Sequence, residues 1–157
     1  MNWRGSWDRK ASRLTRSREI AAPVGVVFEG WSRLERLPKL LANVRRVKRI
    51  GDRRSLWDVD IAGRQVVWEA EETERVPGKS LGWASTWGAE NRGRIVFTRL
   101  DRDRSRIELT LEFQPRSLLE RLGVAFGLVG SAVDEDLARF ARAIESRASE
   151  GSAETVR

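Results

Sequence analysis

The chain contains no histidine, no cysteine and no tyrosine, and these absences remove most of the familiar catalytic side chains. Without histidine there is no imidazole base, no Ser-His pair and no histidine metal ligand. Without cysteine as well, a structural zinc site is not expected, because carboxylates alone rarely build one. Any catalysis must therefore depend on carboxylates, arginine, lysine, hydroxyls or amides with water, and we predict neither a metal nor another cofactor.

Long apolar runs are also missing. No segment approaches the ~20 consecutive apolar residues needed to cross a bilayer. Residues Met1 to Lys10 are polar and basic and lack the apolar stretch of a signal peptide. A length of 157 residues suits one domain. We therefore expect a cytoplasmic protein with one domain over residues 12–147 and flexible tails at residues 1–11 and 148–157.

Acidic residues are outnumbered by basic ones, which gives a formal net charge of +7 and a pI near 11.0. Such a charge is typical of proteins that bind nucleic acid or an anionic membrane surface. It is equally typical of an ordinary solvated surface in a chain that prefers arginine. Positive charges cluster only at Arg4 to Arg18 and Arg45 to Arg54, and elsewhere they alternate with acids. We favour the second interpretation.

Between Val44 and Gln114 the apolar residues recur at every second position, with glycine and proline turns between the runs. One apolar and one polar face is the pattern of half-buried antiparallel strands. An earlier run has the same pattern, so the sequence predicts seven strands, at Arg13–Ala21, Arg45–Ile50, Ser55–Ile61, Gln65–Val76, Ser80–Trp87, Arg94–Leu100 and Arg106–Gln114.

Helical spacing appears in two places. After Pro23, apolar residues up to Trp31 predict a short helix, and a second short helix follows around Leu34 to Leu41. Apolar residues from Leu118 to Ile144 then step by three or four, as in a long amphipathic helix. Ser131 and Asp134 resemble a capping box, which predicts a break in this helix beside Gly130.

Seven antiparallel strands are too many to lie flat behind one helix. We therefore predict an α+β helix-grip fold: a curved seven-stranded antiparallel sheet wrapped around a long C-terminal helix, with two short helices between strands 1 and 2. Such an arrangement leaves a cavity between sheet and helix.

Several short motifs occur in this order along the chain. They are Ala22-Pro23 with Phe28 and Trp31, Leu37-Pro38 with Val44 and Val47, Trp57, Gly63, Trp68-Glu69-Ala70-Glu71-Glu72-Thr73-Glu74 leading to Pro77, Trp83, Asn91, Gly93, Phe97, Pro115, Asp136-Leu137, Arg139-Phe140 and Ile144-Glu145. With these motifs the chain resembles the START-like (SRPBCC, birch-pollen-allergen) superfamily, in the branch of polyketide cyclases/dehydrases and coenzyme-Q-binding START domains. The resemblance extends from about Arg13 to Arg147.

The resemblance implies a fold that holds a hydrophobic small molecule such as a lipid, an isoprenoid or a polyketide. It does not imply a reaction, because fold and function separate readily. Aromatic cyclases of the superfamily place Arg, Tyr, Ser or Thr around a polyketide chain, and this chain has no Tyr. Ligand binding is therefore our leading hypothesis. A polyketide cyclase/dehydrase that uses arginine and water is the alternative, and a basic surface module for nucleic acid or anionic lipid is the second alternative.

The tryptophans at 57, 68, 83 and 87 occupy the strand positions that should face the helix. They either line a pocket with flat aromatic surface or fill the core, as large aromatic residues usually do. No catalytic residue is identified. The predicted ligand-binding residues are Trp57, Trp68, Trp83, Trp87, Phe97, Phe113, Phe126, Val129, Val133 and Arg18.

Arg16 and Arg18 also share the inward positions of the first strand, and a buried arginine needs a partner. Glu72 and Glu74 are candidates, because both are in phase with Trp68. A ligand carboxylate, enol or phosphate is another candidate. The remaining possibility is that these long side chains reach water at the rim of the sheet, or that a bulge resets the strand.

Overall fold

The computed structural model describes residues 12–113 and 126–156, with no side-chain detail for residue 126 and residues 152–156. Over these residues the chain forms seven strands and three α-helices. The strands are β1 Ser12–Ile20, β2 Val44–Arg49, β3 Arg54–Ile61, β4 Arg64–Val76, β5 Ser80–Gly88, β6 Asn91–Asp101 and β7 Arg104–Phe113. The helices are α1 Val24–Ser32, α2 Leu37–Leu40, which a 3-10 turn at Leu34–Arg36 precedes, and α3 Phe126–Val156.

All seven strands form one antiparallel sheet in the order β1-β7-β6-β5-β4-β3-β2. Strands β2 to β7 pair with their neighbours in the chain, and β1 closes the sheet against β7. The sheet curls around α3, while α1 and α2 lie in the connection between β1 and β2. The predicted helix-grip fold is therefore confirmed, including the two short helices.

The core lies between the concave face of the sheet and the helices. From α3, Phe140 and Ile144 are fully buried, and the Phe140 ring meets Trp31 of α1 edge to face at 5.0 Å. Val27 of α1 and Leu37 of α2 are also fully buried. Burial of these apolar faces against one another attaches the three helices to the sheet.

Helix α3 continues without interruption from Phe126 to Val156, so the predicted break beside Gly130 is wrong. The side chain of Asp134 forms an ion pair with Arg16 of β1 at 3.0 Å. A Cβ atom at Gly130 would lie 2.8 Å from the Arg16 guanidinium, so the glycine gives this side chain room against the helix. Contacts with β1 therefore account for Gly130 and for Asp134, which with Ser131 had suggested a capping box.

The other boundaries differ little from the predicted ones. Strand β6 begins at Asn91 rather than Arg94, because Asn91 already pairs with Phe113 of β7. Helix α3 extends beyond residue 147, where the domain was expected to end. The flexibility of residues 148–157 stays a prediction. The other predicted tail, residues 1–11, and the predicted helical residues Leu118 and Leu122 lie outside the described residues.

Candidate functional site

The curled sheet and α3 enclose a cavity of about 170 Å³. Its wall is mostly apolar and comes chiefly from β3, β4, β5, β7 and one face of α3. Pockets for drug-sized ligands usually measure ~300–1,000 Å³, whereas a dry apolar cavity of ~150 Å³ already holds benzene. The space therefore suits a compact ligand of one or two rings.

Two tryptophans form a flat aromatic part of this wall. Trp57 of β3 and Trp68 of β4 lie directly opposite each other in the sheet. Their rings are parallel to within 3°, with centroids 5.8 Å apart, which is a stacked arrangement. The Trp57 Nε1–H donates a hydrogen bond to Ser55 Oγ at 2.9 Å, which fixes the ring at the cavity. The pair thus presents a rigid planar surface.

The indole Nε1–H of Trp68 is buried and has no hydrogen-bond acceptor among the described residues. A buried donor without an acceptor usually costs ~1–3 kcal/mol of stability. The Trp68 ring nevertheless lies parallel to the Trp57 ring. A purely apolar side chain at position 68 would avoid the cost of the unpaired N–H, so the tryptophan pair is present at the cavity despite that cost.

Trp83 of β5 also lines the cavity and is held from two sides. Its Nε1–H donates to Asn91 Oδ1 at 2.9 Å, and Asn91 is itself buried and donates from its backbone N–H to Ser85 Oγ at 3.0 Å. The ring lies across Gly93 of the neighbouring strand, where any Cβ atom would overlap it. A glycine at this position is therefore required by the orientation of Trp83.

The predicted inward position of Trp87 is wrong. A bulge in the β4–β5 ladder pairs Ala70 with Ser85 but Glu69 with Trp87, so one residue of β5 is left over. Because the side-chain period of a strand is two, this extra residue moves Trp87 to the outer face that Glu69 occupies. The Trp87 side chain is 62% exposed and does not line the cavity.

Of the other predicted ligand-binding residues, Phe113, Val129 and Val133 line the cavity. Phe97 is buried elsewhere in the core, where its ring meets Phe28 of α1 edge to face at 5.1 Å. The side chain of Phe126 lies outside the described residues. Contact of any of these side chains with a ligand stays a prediction.

Arg18 is exposed and does not line the cavity, so its side chain reaches water as one interpretation allowed. Arg16 faces α3 and meets Asp134 rather than either of the candidate glutamates. Glu72 does line the cavity, where it pairs with Arg75 at 2.8 Å. A second bulge, between Glu72 and Glu74, moves Glu74 to the outer face, where it pairs with Arg94 at 2.7 Å.

Asp136 of α3 is a cavity residue that the sequence analysis did not select. Its Oδ1 accepts two hydrogen bonds from Asn43, one from the backbone N–H at 2.7 Å and one from Nδ2 at 3.0 Å. The same Asn43 Nδ2 donates to the Ala132 carbonyl at 3.0 Å. These bonds attach α3 to the segment before β2 and set the direction of the carboxyl group.

Burial raises the pKa of Asp136 to about 6. The hydrogen bonds from Asn43 and from the Ala42 backbone act in the opposite direction and lower this pKa, while the nearby charge of Glu135 adds a small rise. A carboxyl group of raised pKa at a cavity wall is a common feature of functional sites. Asp136 and Asn43 are 93 positions apart, so no local spacing could reveal the pair. The one available signal was the Asp136-Leu137 motif, which carried part of the family resemblance.

Within residues 12–113 and 126–156, no group of three or more acidic side chains is placed to hold a metal ion. Over the same ranges, no helix is both long and apolar enough to cross a membrane.

Comparisons with known proteins agree with this geometry. The family described as polyketide cyclase/dehydrase and lipid transport matches residues 20–142. An uncharacterized 17.2 kDa protein from the melC2-rnhH intergenic region of Streptomyces lincolnensis is 31% identical over 140 residues, which cover 88% of this chain and 93% of the relative.

Solved structures show the same architecture. A START superfamily protein from Mycobacterium smegmatis has 17% identity and a TM-score of 0.69, covering 88% of this chain and 97% of its own. The Zhui aromatase/cyclase from Streptomyces sp. R1128 has 16% identity and a TM-score of 0.67, covering 88% and 94%. At these identities the likeness concerns the fold, and it confirms the predicted START-like architecture.

Proposed function

Because this chain belongs to the polyketide cyclase/dehydrase and lipid transport family, we propose that it binds a compact, hydrophobic aromatic molecule in the cavity between the sheet and α3. The observation that carries the proposal is the stacked pair Trp57 and Trp68 on the wall of a mostly apolar cavity. A planar ring placed against such a pair gains stacking contacts in addition to the burial of its own apolar surface.

The volume of the cavity decides between compact and elongated ligands. At about 170 Å³ it has room for one or two rings but not for a long acyl or isoprenoid chain unless α3 or the sheet moves. The charged side chains of Arg49 and Arg53 stand at the β2–β3 end of the wall, on exposed residues. We therefore assign the aromatic ring of the ligand to the end of the cavity formed by Trp57 and Trp68, and we assign its entry to the β2–β3 end.

Thermal unfolding in the presence of a ligand series tests this assignment. Toluene and naphthalene should raise the melting temperature, and hexadecanoic acid should raise it less. A ligand at 100 times its Kd adds about 2.7 kcal/mol of stability, which for a chain of this size is a rise of about 5–10 °C. If no aromatic compound raises the melting temperature, the proposed function is wrong.

A matched pair of variants locates the binding. Val133→Phe places a ring in the cavity from the inner face of α3, whereas Leu128→Phe adds the same ring at an exposed position of the same helix. The first variant should abolish the rise produced by toluene, and the second should leave it unchanged. Equal responses of the two variants would place binding outside this cavity.

A polyketide cyclase/dehydrase is the second candidate, and the carboxyl group of Asp136 favours it. Proton transfer needs a group whose pKa lies near the working pH, and the pKa of Asp136 is raised to about 6 at the cavity wall. Incubation with a synthetic poly-β-keto thioester should then give a cyclised aromatic product that Asp136→Asn no longer forms. Product formation at the rate of the protein-free reaction would exclude this candidate.

A basic surface module is less well supported. Ion pairs occupy many of the arginines in the described ranges, such as Arg54 with Glu69, Arg92 with Glu112 and Arg106 with Glu19. A surface of paired charges offers fewer free cations to phosphates than the net charge suggests. Binding to nucleic acid or anionic vesicles that falls steeply with added salt would revive this alternative. The cytoplasmic location predicted from the sequence remains a prediction.

A further inference from the structure

The Asp136 carboxyl group accepts hydrogen bonds from the segment before β2 and also lines the cavity. Both hydrogen bonds from Asn43 go to Oδ1. A backbone hydrogen bond from Ala42 reaches the same carboxyl group. A carboxylate offers about four acceptor positions on its two oxygens, so Asp136, which lines the cavity, can still accept a hydrogen bond from a molecule bound there.

The position of Asp136 relative to the tryptophans fits a ring substituent. Val59 follows Trp57 by two residues on the same face of β3 and pairs with Val44, and the residue before Val44 is Asn43. Val44 and Val59 both line the cavity. An aromatic ring against Trp57 would therefore have its apolar edge along these valines and its far end toward Asp136.

We propose that Asp136 recognises a hydroxyl group on the ligand, so that the preferred occupant is a phenol or an enol rather than a plain hydrocarbon. This inference rests on the proposed function above. The ligand hydroxyl donates a charge-assisted hydrogen bond to the ionised carboxylate and keeps its proton, so no covalent step is involved. Such bonds are among the stronger ones in proteins, at ~1.5–3 kcal/mol.

Charge selects a hydroxyl over an ammonium group. The β2–β3 end of the cavity wall carries Arg49 and Arg53 beside Asp52, so the basic side chains prevail there, and the whole chain has a net charge of +7. A cationic ligand would be repelled on entry and would also lose its hydration in a mostly apolar cavity. A neutral hydroxyl avoids both costs.

The neighbouring ionisable groups set the pH range of this recognition. Burial, with a smaller contribution from the charge of Glu135 on the same helix, raises the pKa of Asp136 to about 6. From β3, Asp60 also lines the cavity, but its pKa is lowered by hydrogen bonds from the Gly63 backbone and from Arg45 of β2. Asp60 therefore stays ionised while Asp136 titrates, and preference for the hydroxyl should weaken as the pH falls below about 6.

Calorimetric titration of the full chain with p-cresol and toluene tests the inference, because the two probes differ by one hydroxyl group. At pH 8 the wild type should bind p-cresol at least about tenfold more tightly than toluene, as expected for one charge-assisted hydrogen bond. In Asp136→Asn the amide oxygen can still accept from Asn43, while the negative charge that strengthens the hydrogen bond to the hydroxyl is removed. The preference should fall to within about twofold in this variant, and it should also narrow in the wild type at pH 5.

Asp134→Asn is the matched control, since Asp134 lies two residues earlier on α3 and pairs with Arg16. It should keep the wild-type preference. Toluene binding to Asp136→Asn shows that the cavity of the variant is intact. If both probes bind and Asp136→Asn keeps the tenfold preference, the hydroxyl inference is wrong while the proposed function stands. If neither probe binds any of the proteins, the proposed function fails and the inference fails with it.

Discussion

Replacement of Asp136 by asparagine should make the protein more stable at neutral and alkaline pH. The native state holds this carboxyl group at a pKa of about 6, compared with 3.8 in the unfolded chain, chiefly because it is buried. Native protein therefore binds more protons than unfolded protein between these two values. By linkage, the free energy of unfolding falls as the pH rises through this window. Asparagine carries no charge at any of these pH values and removes the effect.

The size of the effect follows from the two pKa values. One pKa unit corresponds to about 1.4 kcal/mol, so the full difference amounts to about 3 kcal/mol. The side chain keeps some contact with solvent, which reduces this figure, and we expect a gain of about 1–2 kcal/mol for Asp136→Asn at pH 8. For a chain of this size the gain is a rise in melting temperature of about 2–8 °C.

Thermal unfolding followed by circular dichroism at pH 3, 5, 7 and 8 measures this directly. Below pH 3.8 the carboxyl group is protonated in both states, so the variant and the wild type should unfold at nearly the same temperature. Asp134→Asn removes another carboxylate of the same helix, one that pairs with Arg16, and it should not gain stability at pH 8. A variant that is less stable than the wild type at pH 8 would refute the argument, because it would mean that the ionised carboxylate stabilises the fold.

Three further predictions concern single residues. Gly93→Ala should lower the free energy of unfolding, measured in urea, by about 1–3 kcal/mol, because the added Cβ overlaps the Trp83 ring. Gly25 has open space around it, so Gly25→Ala should leave the free energy of unfolding unchanged. Equal losses in the two variants would contradict this role of Trp83. Gly88 and Gly63 both have φ near +80°, but a Cβ at Gly88 also overlaps the Val67 carbonyl. Gly88→Ala should therefore lose more stability than Gly63→Ala in the same assay, and the reverse order would contradict the contact. Asn43→Ala should lower the melting temperature more at pH 8 than at pH 5, because the Asn43 hydrogen bonds favour the ionised form of Asp136. An equal drop in melting temperature at both pH values would mean that these hydrogen bonds do not favour the ionised form.

The fold could be predicted because its determinants are local. Alternation of apolar and polar residues in β7 appears directly in the sequence, and the Ala62-Gly63 turn requires the positive φ angles that both residues adopt. The number of strands then required a curved sheet. The inward positions of Trp57, Trp68 and Trp83 could be predicted for the same reason, because the alternation of inward and outward side chains is unbroken up to each of them.

The period fails where the ladder contains a bulge. Trp87 and Glu74 were both assigned to the inner face by counting in twos, and one extra residue in each case moves them outward. A bulge depends on how two strands pair, which the sequence of one strand does not show. The capping box at Ser131 misled for a similar reason, because Asp134 bonds to a distant strand rather than to its own helix. Asn43 and Asp136 are likewise brought together only by the docking of α3.

A crystal structure of the full chain with bound p-cresol would test the central claim most directly. The account predicts electron density for the ring in the cavity, in contact with Trp57 or Trp68, with its hydroxyl within hydrogen-bond distance of the Asp136 carboxyl group. Density only on the outer face of the sheet, for example against the exposed ring of Trp87, would contradict it.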